Sequence, residues 1–358
     1  MKKVLFVSLH RPDRSPSQRF RFEQYLDYLN ENGYQCNFSW LLNAAEDKYF
    51  YSRGMVFRKA FIVLGSIWKR LKEISSASKY DIVFVQREAF MLGTSFFERW
   101  FAKRSKLIFD FDDSIWLQNV SAANKMFSFF KNADKTKNII SKANLVFAGN
   151  NYLADYAKQF NQHVVIIPTT IDTDLYKPID QTEKDRICIG WSGSVTTIEH
   201  METKMNALKA IKNIYGDRVY FKIVGDGNYS SKELQTKGLP WKKESELQDM
   251  AEFDIGIMPL PDTEWAKGKC GLKGLQYMAL GVPTIMSPVG VNSEIIQDGE
   301  NGFLADSDEE WVNKLSLLIE SFELRKKFGN AGRKTVEEKY SIHANSKLYL
   351  RYFDQLTS

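Results

Sequence analysis

Between residues 259 and 305 the chain carries its densest run of residues suited to chemistry. A strand end leads into the loop PDTEWAKGKCGLK, and then into the helical pattern LKGLQYMAL, closed by Gly281 ahead of Val282 and Pro283. A glycine- and lysine-rich loop that opens a helix makes an anion site. The first-turn N–H groups have no intrahelical partner, the macrodipole is positive there, and glycine lets a diphosphate approach the backbone. Lys267, Lys269 and Lys273 add formal charge around Gly271. The same composition also suits a solvated basic loop, since such loops are common after strands of open sheets.

A second group is FDFDDSIW, residues 109–116, in which Asp110, Asp112 and Asp113 follow a strand end. Three carboxylates at one strand end are unfavourable without cations. An Asp-x-Asp pair can bind a divalent ion through its oxygens, and Asp113 with Ser114 can instead cap a helix. A third group is the first loop, LHRPDRSPSQRFRFEQY, with Arg11, Arg14, Arg19 and Arg21. The planar guanidinium fork matches phosphate, so Arg19 and Arg21 are candidate contacts to a diphosphate or a phosphorylated acceptor. They are equally ordinary surface arginines on a helix that Ser17 would cap. His10, His163, His200 and His343 show no metal-ligand spacing, and the run GDGNYS is an incomplete dinucleotide fingerprint. No metal site is expected.

The elements that must position these groups alternate. Continuous apolar runs at 3–8, 81–86, 106–111, 145–148 and 164–167 read as strands of a sheet covered on both faces. Residues 18–32, 89–103 and 139–142 have helical spacing. The segment 168–180, PTTIDTDLYKPID, has no periodicity and reads as a linker. The alternation then restarts, with strands at 187–191, 219–224, 255–258 and 284–286 and helices near 203–215, 245–252, 271–280 and 309–320. Alternating βα units predict an α/β fold of two doubly wound, Rossmann-like domains with ligands at the carboxyl ends of their strands. The expected organisation is an N-terminal domain over 1–168, a linker over 169–180 and a C-terminal domain over 181–340. A tail helix over 341–358 is free to pack back on the first domain.

Composition bounds the class. With 358 residues, 44% hydrophobic and 26% charged, the chain is long enough for two ordinary soluble domains. A net charge of +5 is too small to demand nucleic acid. Cys36, Cys188 and Cys270 are far apart, which implies neither disulfides nor zinc and suits a cytoplasmic setting. The apolar run in MKKVLFVSLH is shorter than the roughly 7–15 residues of a signal peptide core, so it reads as a first strand. No run approaches the ~20 apolar residues of a membrane span.

The run GLQYMALGVPTIMSPVGVNSEIIQDGENGFLA resembles the C-terminal half of family 4 glycosyltransferases. FDFDDSIW, VFAGNNYLADYA, IPTTIDTDLYKP, IGWSGS, KIVGDG and DIGIMPL match that family's landmarks in order, over nearly the whole chain. The resemblance implies a GT-B fold, with two Rossmann-like domains facing a cleft. It also implies a hexosyl- or glycosyltransferase that retains anomeric configuration without a metal or other cofactor, the nucleotide-diphosphate sugar being a substrate. The acceptor implied is a glycan or lipid-linked carrier, in cell-surface polysaccharide synthesis. Donor contacts are implied at Gly193, Ser194, Lys267, Lys269, Gly271, Lys273 and Gln276, and at Gly290, Val291, Asn292 and Glu294. Trp241 is either a base-stacking or a packing residue. Asp112 or Asp113 would sit near the transferred sugar, on its hydroxyls or against developing positive charge, and Asn150 on the acceptor side.

Two departures stand out. The family's pair of glutamates falls here on Gly268 and Gln276, and its Arg and Lys after the second domain's first strand are missing from IGWSGSVTTIEH. Lys269 and Lys273 are expected to supply that charge. A sugar-nucleotide epimerase of the same fold and a non-catalytic binding partner are the alternatives. Finally, residues 58–72, RKAFIVLGSIWKRLK, are amphipathic and basic, and residues 96–106 repeat the mixture. Such a helix can lie on the anionic inner face of the plasma membrane or turn its apolar side to the core.

Overall fold

The computed structural model of the chain describes residues 1–52, 54–117, 134–178 and 182–358. The chain divides into two compact units. Unit 1 is Met1–Thr169 with Asn345–Ser358, and unit 2 is Thr170–Ala344.

Unit 1 is built on six parallel strands: β1 (Lys2–His10), β2 (Tyr34–Leu42), β3 (Ile82–Gln86), β4 (Lys106–Phe111), β5 (Leu145–Ala148) and β6 (Val164–Ile166), in the order β2-β1-β3-β4-β5-β6. The order reverses between β1 and β3, which is where open α/β sheets bind ligands. Strand cores such as Val4–Phe6 and Val83–Val85 are buried on both faces. The last helix, Ile342–Thr357, completes this unit: Tyr349 stacks on Tyr25 with ring centres 4.4 Å apart, and Phe353 packs on Phe6 and Tyr34.

Two expected helices are shorter here, for visible reasons. The pattern at 18–32 breaks into a helix Pro16–Arg19, a 3₁₀ turn Glu23–Tyr25 and a helix Leu26–Glu31. Phe20, Arg21 and Phe22 are all buried, and three consecutive residues of an α-helix, spread over about 200°, cannot share one buried face. The cap falls on Ser15, and Ser17 turns to Asp112 instead. The pattern at 89–103 is helical only at Phe96–Ala102. The carbonyls of Ala89, Phe90 and Leu92, which a helix would use internally, accept from Arg70 and Lys135.

Unit 2 has β7 (Ile187–Ser192), β8 (Val219–Gly225), β9 (Ser230–Ser231), β10 (Thr236–Pro240), β11 (Ile255–Met258), β12 (Thr284–Met286) and β13 (Phe303–Leu304). Their order is β13-β12-β11-β7-β8-β10-β9, parallel except for β9. Here the reversal lies between β7 and β11. The core under this sheet gathers Trp191, Leu208, Ile211, Ile257, Trp311 and Leu315. Of the linker segment, 179–181 lie outside the described residues. Its start has no regular element but is fastened within the unit. Ile171 bridges to Ser341, and the Arg333 guanidinium donates to the carbonyls of Thr173, Tyr176 and Ala279.

Candidate functional site

In unit 2 the reversal point brings two loops together. β7 ends in Trp191 and Ser192 and passes into Gly193, whose N–H donates to the Val224 carbonyl at 2.8 Å. A Cβ on Gly193 would lie 2.2 Å from the Trp191 ring, so only glycine lets the chain turn so close to the indole. Ser194 faces the hydroxyls of Thr196 and Thr197. β11 leads through Leu260 into a short helix, Glu264–Lys267, and then the helix Leu272–Ala279. Gly271, at φ +70°, starts that helix with no side-chain cap. A Cβ on Gly271 would meet Ile295 at 2.3 Å.

Lys273 joins the two loops. Its ammonium lies 4.7 Å from the Trp191 ring centre and donates to Thr197 Oγ1 at 3.2 Å. A cation of the Leu272–Ala279 helix thus stands against the loop after β7. Burial, and then the neighbouring Lys269 charge, push the Lys273 ammonium down to about 7. Removal from water disfavours the charged form, and a like charge adds to that effect. Lys269 rests 4.9 Å over Trp265. Lys267 differs: it pairs with Glu264 at 2.9 Å and Asp262 at 3.5 Å, so its charge is met locally.

Beside the same helix start, Gly290 turns against the Lys267 backbone, and Val291 precedes the short helix Asn292–Ile295. Asn292 is buried and donates to the Ser287 carbonyl at 3.0 Å. Its Oδ1 finds no hydrogen-bond donor among the described residues. Glu294 is exposed on that short helix rather than in a turn before one.

Gln276 and Trp241, both expected against the donor, turn their polar atoms to one carboxylate. Both are drawn to Glu246, a buried carboxylate on the helix Glu246–Ala251 that sequence reasoning missed. Glu246 accepts from Trp241 Nε1 at 3.0 Å, from the Tyr176 hydroxyl at 3.1 Å and from Gln276 Nε2 at 3.4 Å, while Gln276 also donates to Tyr176 at 2.9 Å. A buried carboxylate requires donors. An amide at 276 supplies one where a second carboxylate would repel.

In unit 1 the reversal point gathers His10, Ser17, Gln86, Arg87, Asp110, Asp112 and Asp113 at the ends of β1, β3 and β4. Ser17 Oγ donates to Asp112 at 2.6 Å and accepts from Gln86 Nε2 at 2.6 Å. The cations that the three carboxylates need come from two arginines. Arg21 is buried, with Nε 3.2 Å from Asp110 and Nη1 on the Ile167 carbonyl, so it is a structural ion-pair residue and not a phosphate contact. Arg87 reaches Asp113 at 3.1 Å and Asp112 at 3.7 Å. Its φ of +60° is the left-handed region that β-carbon residues rarely enter, a detail no sequence signal announced. Asp113 also accepts from the Ser114 N–H at 3.0 Å.

Arg19 lies over the Phe20 ring, and Arg11 and Arg14 pair with Asp47 at 3.1 and 2.7 Å. Asn150 is buried and caps the helix Asn151–Lys158 through the Leu153 N–H, which assigns it a local structural duty. Burial pushes the His10 imidazole below its ordinary value, against the pull of Asp47.

Comparison with known proteins agrees with this architecture. Residues 186–321 match the family model described as glycosyl transferases group 1. The uncharacterized glycosyltransferase MJ1069 of Methanocaldococcus jannaschii is 22% identical over 299 residues, covering 78% of this chain and 76% of that protein. Among solved structures, sucrose-phosphate synthase from Thermosynechococcus elongatus aligns with a TM-score of 0.70 at 11% identity, over 99% of each chain. HepE of Anabaena, solved with UDP and glucose, aligns at 0.69 and 15% identity over 99% of this chain and 100% of that one. A glycosyltransferase from Rickettsia africae aligns at 0.68 and 16%, over 99% and 98%. The fold is GT-B, and the chain is a glycosyltransferase. The glycosyl transferases group 1 match, residues 186–321, lies inside unit 2.

Proposed function

We propose that the chain transfers a sugar from a nucleotide-diphosphate sugar to a glycan or lipid-linked acceptor, with the donor diphosphate held in unit 2. The observation that carries this reading is Lys273, placed on Trp191 and Thr197 beside an uncapped helix start at the sheet's reversal point. Lys273, Lys269 and the first-turn N–H groups would meet the diphosphate charge. Gly193, Ser194, Gly271, Gly290, Val291 and Asn292 would line the donor with backbone and short polar groups. Relatives of the same fold were solved with UDP, which favours a uridine donor.

In unit 1, Asp112 and Asp113 are assigned to sugar hydroxyls, with Arg87 and Ser17 holding their carboxylates in place. The nucleotide sugar is the substrate, and the reading assigns no cofactor and no metal, because cationic side chains are present for the phosphates. Retention of anomeric configuration and a role in cell-surface polysaccharide synthesis rest on the family 4 resemblance. The reading includes a cytoplasmic location with peripheral contact at the inner face of the plasma membrane.

Calorimetric titration of UDP- and GDP-sugars into Lys269→Ala and Lys273→Ala tests the donor placement. A loss of at least about tenfold per removed charge–phosphate contact is expected, with unchanged melting temperature. Unchanged affinity in both variants would overturn it. Donor epimerised without any acceptor would overturn the transfer reaction.

A further inference from the structure

The helix Val56–Ser76 in unit 1 turns large apolar side chains away from its unit. Surface helices ordinarily bury an apolar stripe and show a polar face to water. Here the inward residues include Ser66 and Arg70 along with Ile74. Arg70 is fully buried and donates to the carbonyls of Ser8 and Ala89, to Ser39 and to Glu73. A mixed face therefore anchors the helix to its unit, the Arg70 hydrogen bonds lying beside Ile74 and the half-buried Ile62, Val63 and Ile67.

The outward face is apolar. Phe57, Phe61, Leu64, Trp68 and Leu71 are exposed, from 41% for Leu71 to 86% for Phe57. At 3.6 residues per turn these five positions fall in an arc of about 80°, opposite the buried face. Arg58, Lys69 and Lys72 lie together on one flank of that arc, all exposed. The single carboxylate of the helix, Glu73, is hydrogen-bonded by Arg70 and Ser39, and its charge also reaches Lys69. On the neighbouring helix Phe96–Ala102, Phe96 and Trp100 are also exposed, with Lys103 and Arg104 against the Trp100 ring.

We propose that this outward face is a docking surface for an anionic lipid bilayer, with the helix lying in the plane of the interface. A row of large apolar and aromatic side chains with a cationic border matches the layered polarity of a lipid surface, where acyl chains lie beneath anionic headgroups. A second copy of the chain fits less well, because it would set a second cationic flank against the first, and the one carboxylate of this helix is already bound by Arg70. Crossing the bilayer is not at issue: among the described residues no helix is long and apolar enough to span a membrane. The proposal gives residues to the membrane-contact part of the functional reading and is independent of the donor site.

Vesicle flotation of the full chain tests it. Phosphatidylcholine vesicles are compared with vesicles containing roughly one third phosphatidylglycerol, to resolve the anionic contribution. Binding to the anionic vesicles is expected. Phe61→Ser with Trp68→Ser should lower partitioning at least about tenfold. Arg58→Glu with Lys72→Glu should lower it on anionic vesicles alone. These side chains are exposed, so both variants should keep the parent melting temperature.

Unchanged partitioning in both variants overturns the proposal. So does a concentration-dependent dimer that the Phe61→Ser, Trp68→Ser variant abolishes while no form of the chain binds vesicles. Nucleotide-sugar titration of the same proteins separates the two readings. A wild-type chain that floats with vesicles yet binds no nucleotide sugar overturns the donor assignment and supports this one.

Discussion

The Lys273 ammonium sits 4.7 Å from the centre of the Trp191 ring, so a cation on a helix of unit 2 serves the loop that follows the unit's first strand. Burial and Lys269 bring that ammonium down to about 7. An anionic diphosphate stabilises the charged form, so the bound complex holds its proton to higher pH than the free protein does. Affinity for a nucleotide sugar should accordingly weaken as pH rises above about 7, by up to about tenfold per pH unit. The diphosphate of a nucleotide sugar is a diester and does not titrate in this range. Calorimetric titration between pH 6.5 and 8.5, taken as roughly one unit either side of the midpoint, should give this slope, and Lys273→Arg should flatten it. An identical slope in both proteins would count against the assignment. The sign for folding follows from the same shift. Between about 7 and the ordinary 10.5 the native state binds fewer protons at this residue than the unfolded chain, so its contribution to stability increases with pH across that window.

Gln276 stands where the family 4 resemblance expects a glutamate, and its amide lies 3.4 Å from the Glu246 carboxylate. Gln276→Glu would bury two carboxylates side by side. A loss of about 2–4 kcal/mol is expected at neutral pH, shrinking in acid as one carboxyl takes a proton. Urea unfolding at neutral and mildly acid pH reads both effects. A variant as stable as the parent at neutral pH would show that Glu246 does not govern this position.

Arg21 and Asp110 form a buried pair in unit 1. Removing the cation alone leaves a stranded charge, so Arg21→Met should cost about 3–5 kcal/mol, whereas Arg21→Met with Asp110→Leu should recover most of it. Nucleotide affinity of the folded double variant should match the parent. A selective loss of nucleotide binding would restore Arg21 to the ligand side.

Arg87 combines a left-handed backbone with the ion pairs to Asp112 and Asp113. Arg87→Gly and Arg87→Ala both remove the cation, and only glycine suits φ +60°. The glycine variant should be the more stable by about 1 kcal/mol, while transfer activity falls in both. Equal melting temperatures would argue that the backbone relaxes when the arginine is removed.

The strands were legible because parallel sheets bury both faces, and runs such as Ile82–Gln86 and Ile255–Met258 are apolar at almost every position. β2 was missed because its pattern, YQCNFSWLL, mixes polar residues with apolar ones, as an edge strand allows. Glycines and lysines around Gly271 pointed to an anion site because helix starts are electrostatically positive whatever surrounds them. The sequence by itself thus determined the βα alternation and marked the helix start at Gly271 as a candidate anion site, both of which rest on local pattern.

Only the tertiary structure decided which cations are met by carboxylates. Lys267 and Lys273 look alike in KGKCGLK, yet one is held by Asp262 and Glu264 while the other reaches Trp191. Arg21 reads as a phosphate contact or a surface cation, and Arg87 stands in no motif, yet they answer Asp110, Asp112 and Asp113, far away along the chain. The direction of the Val56–Ser76 helix was settled in the same way. Its periodicity defines two faces, and the hydrogen bonds of Arg70 select the one turned inward. Pairing between distant side chains depends on strand order and burial, and neither is written in the spacing of residues along one segment.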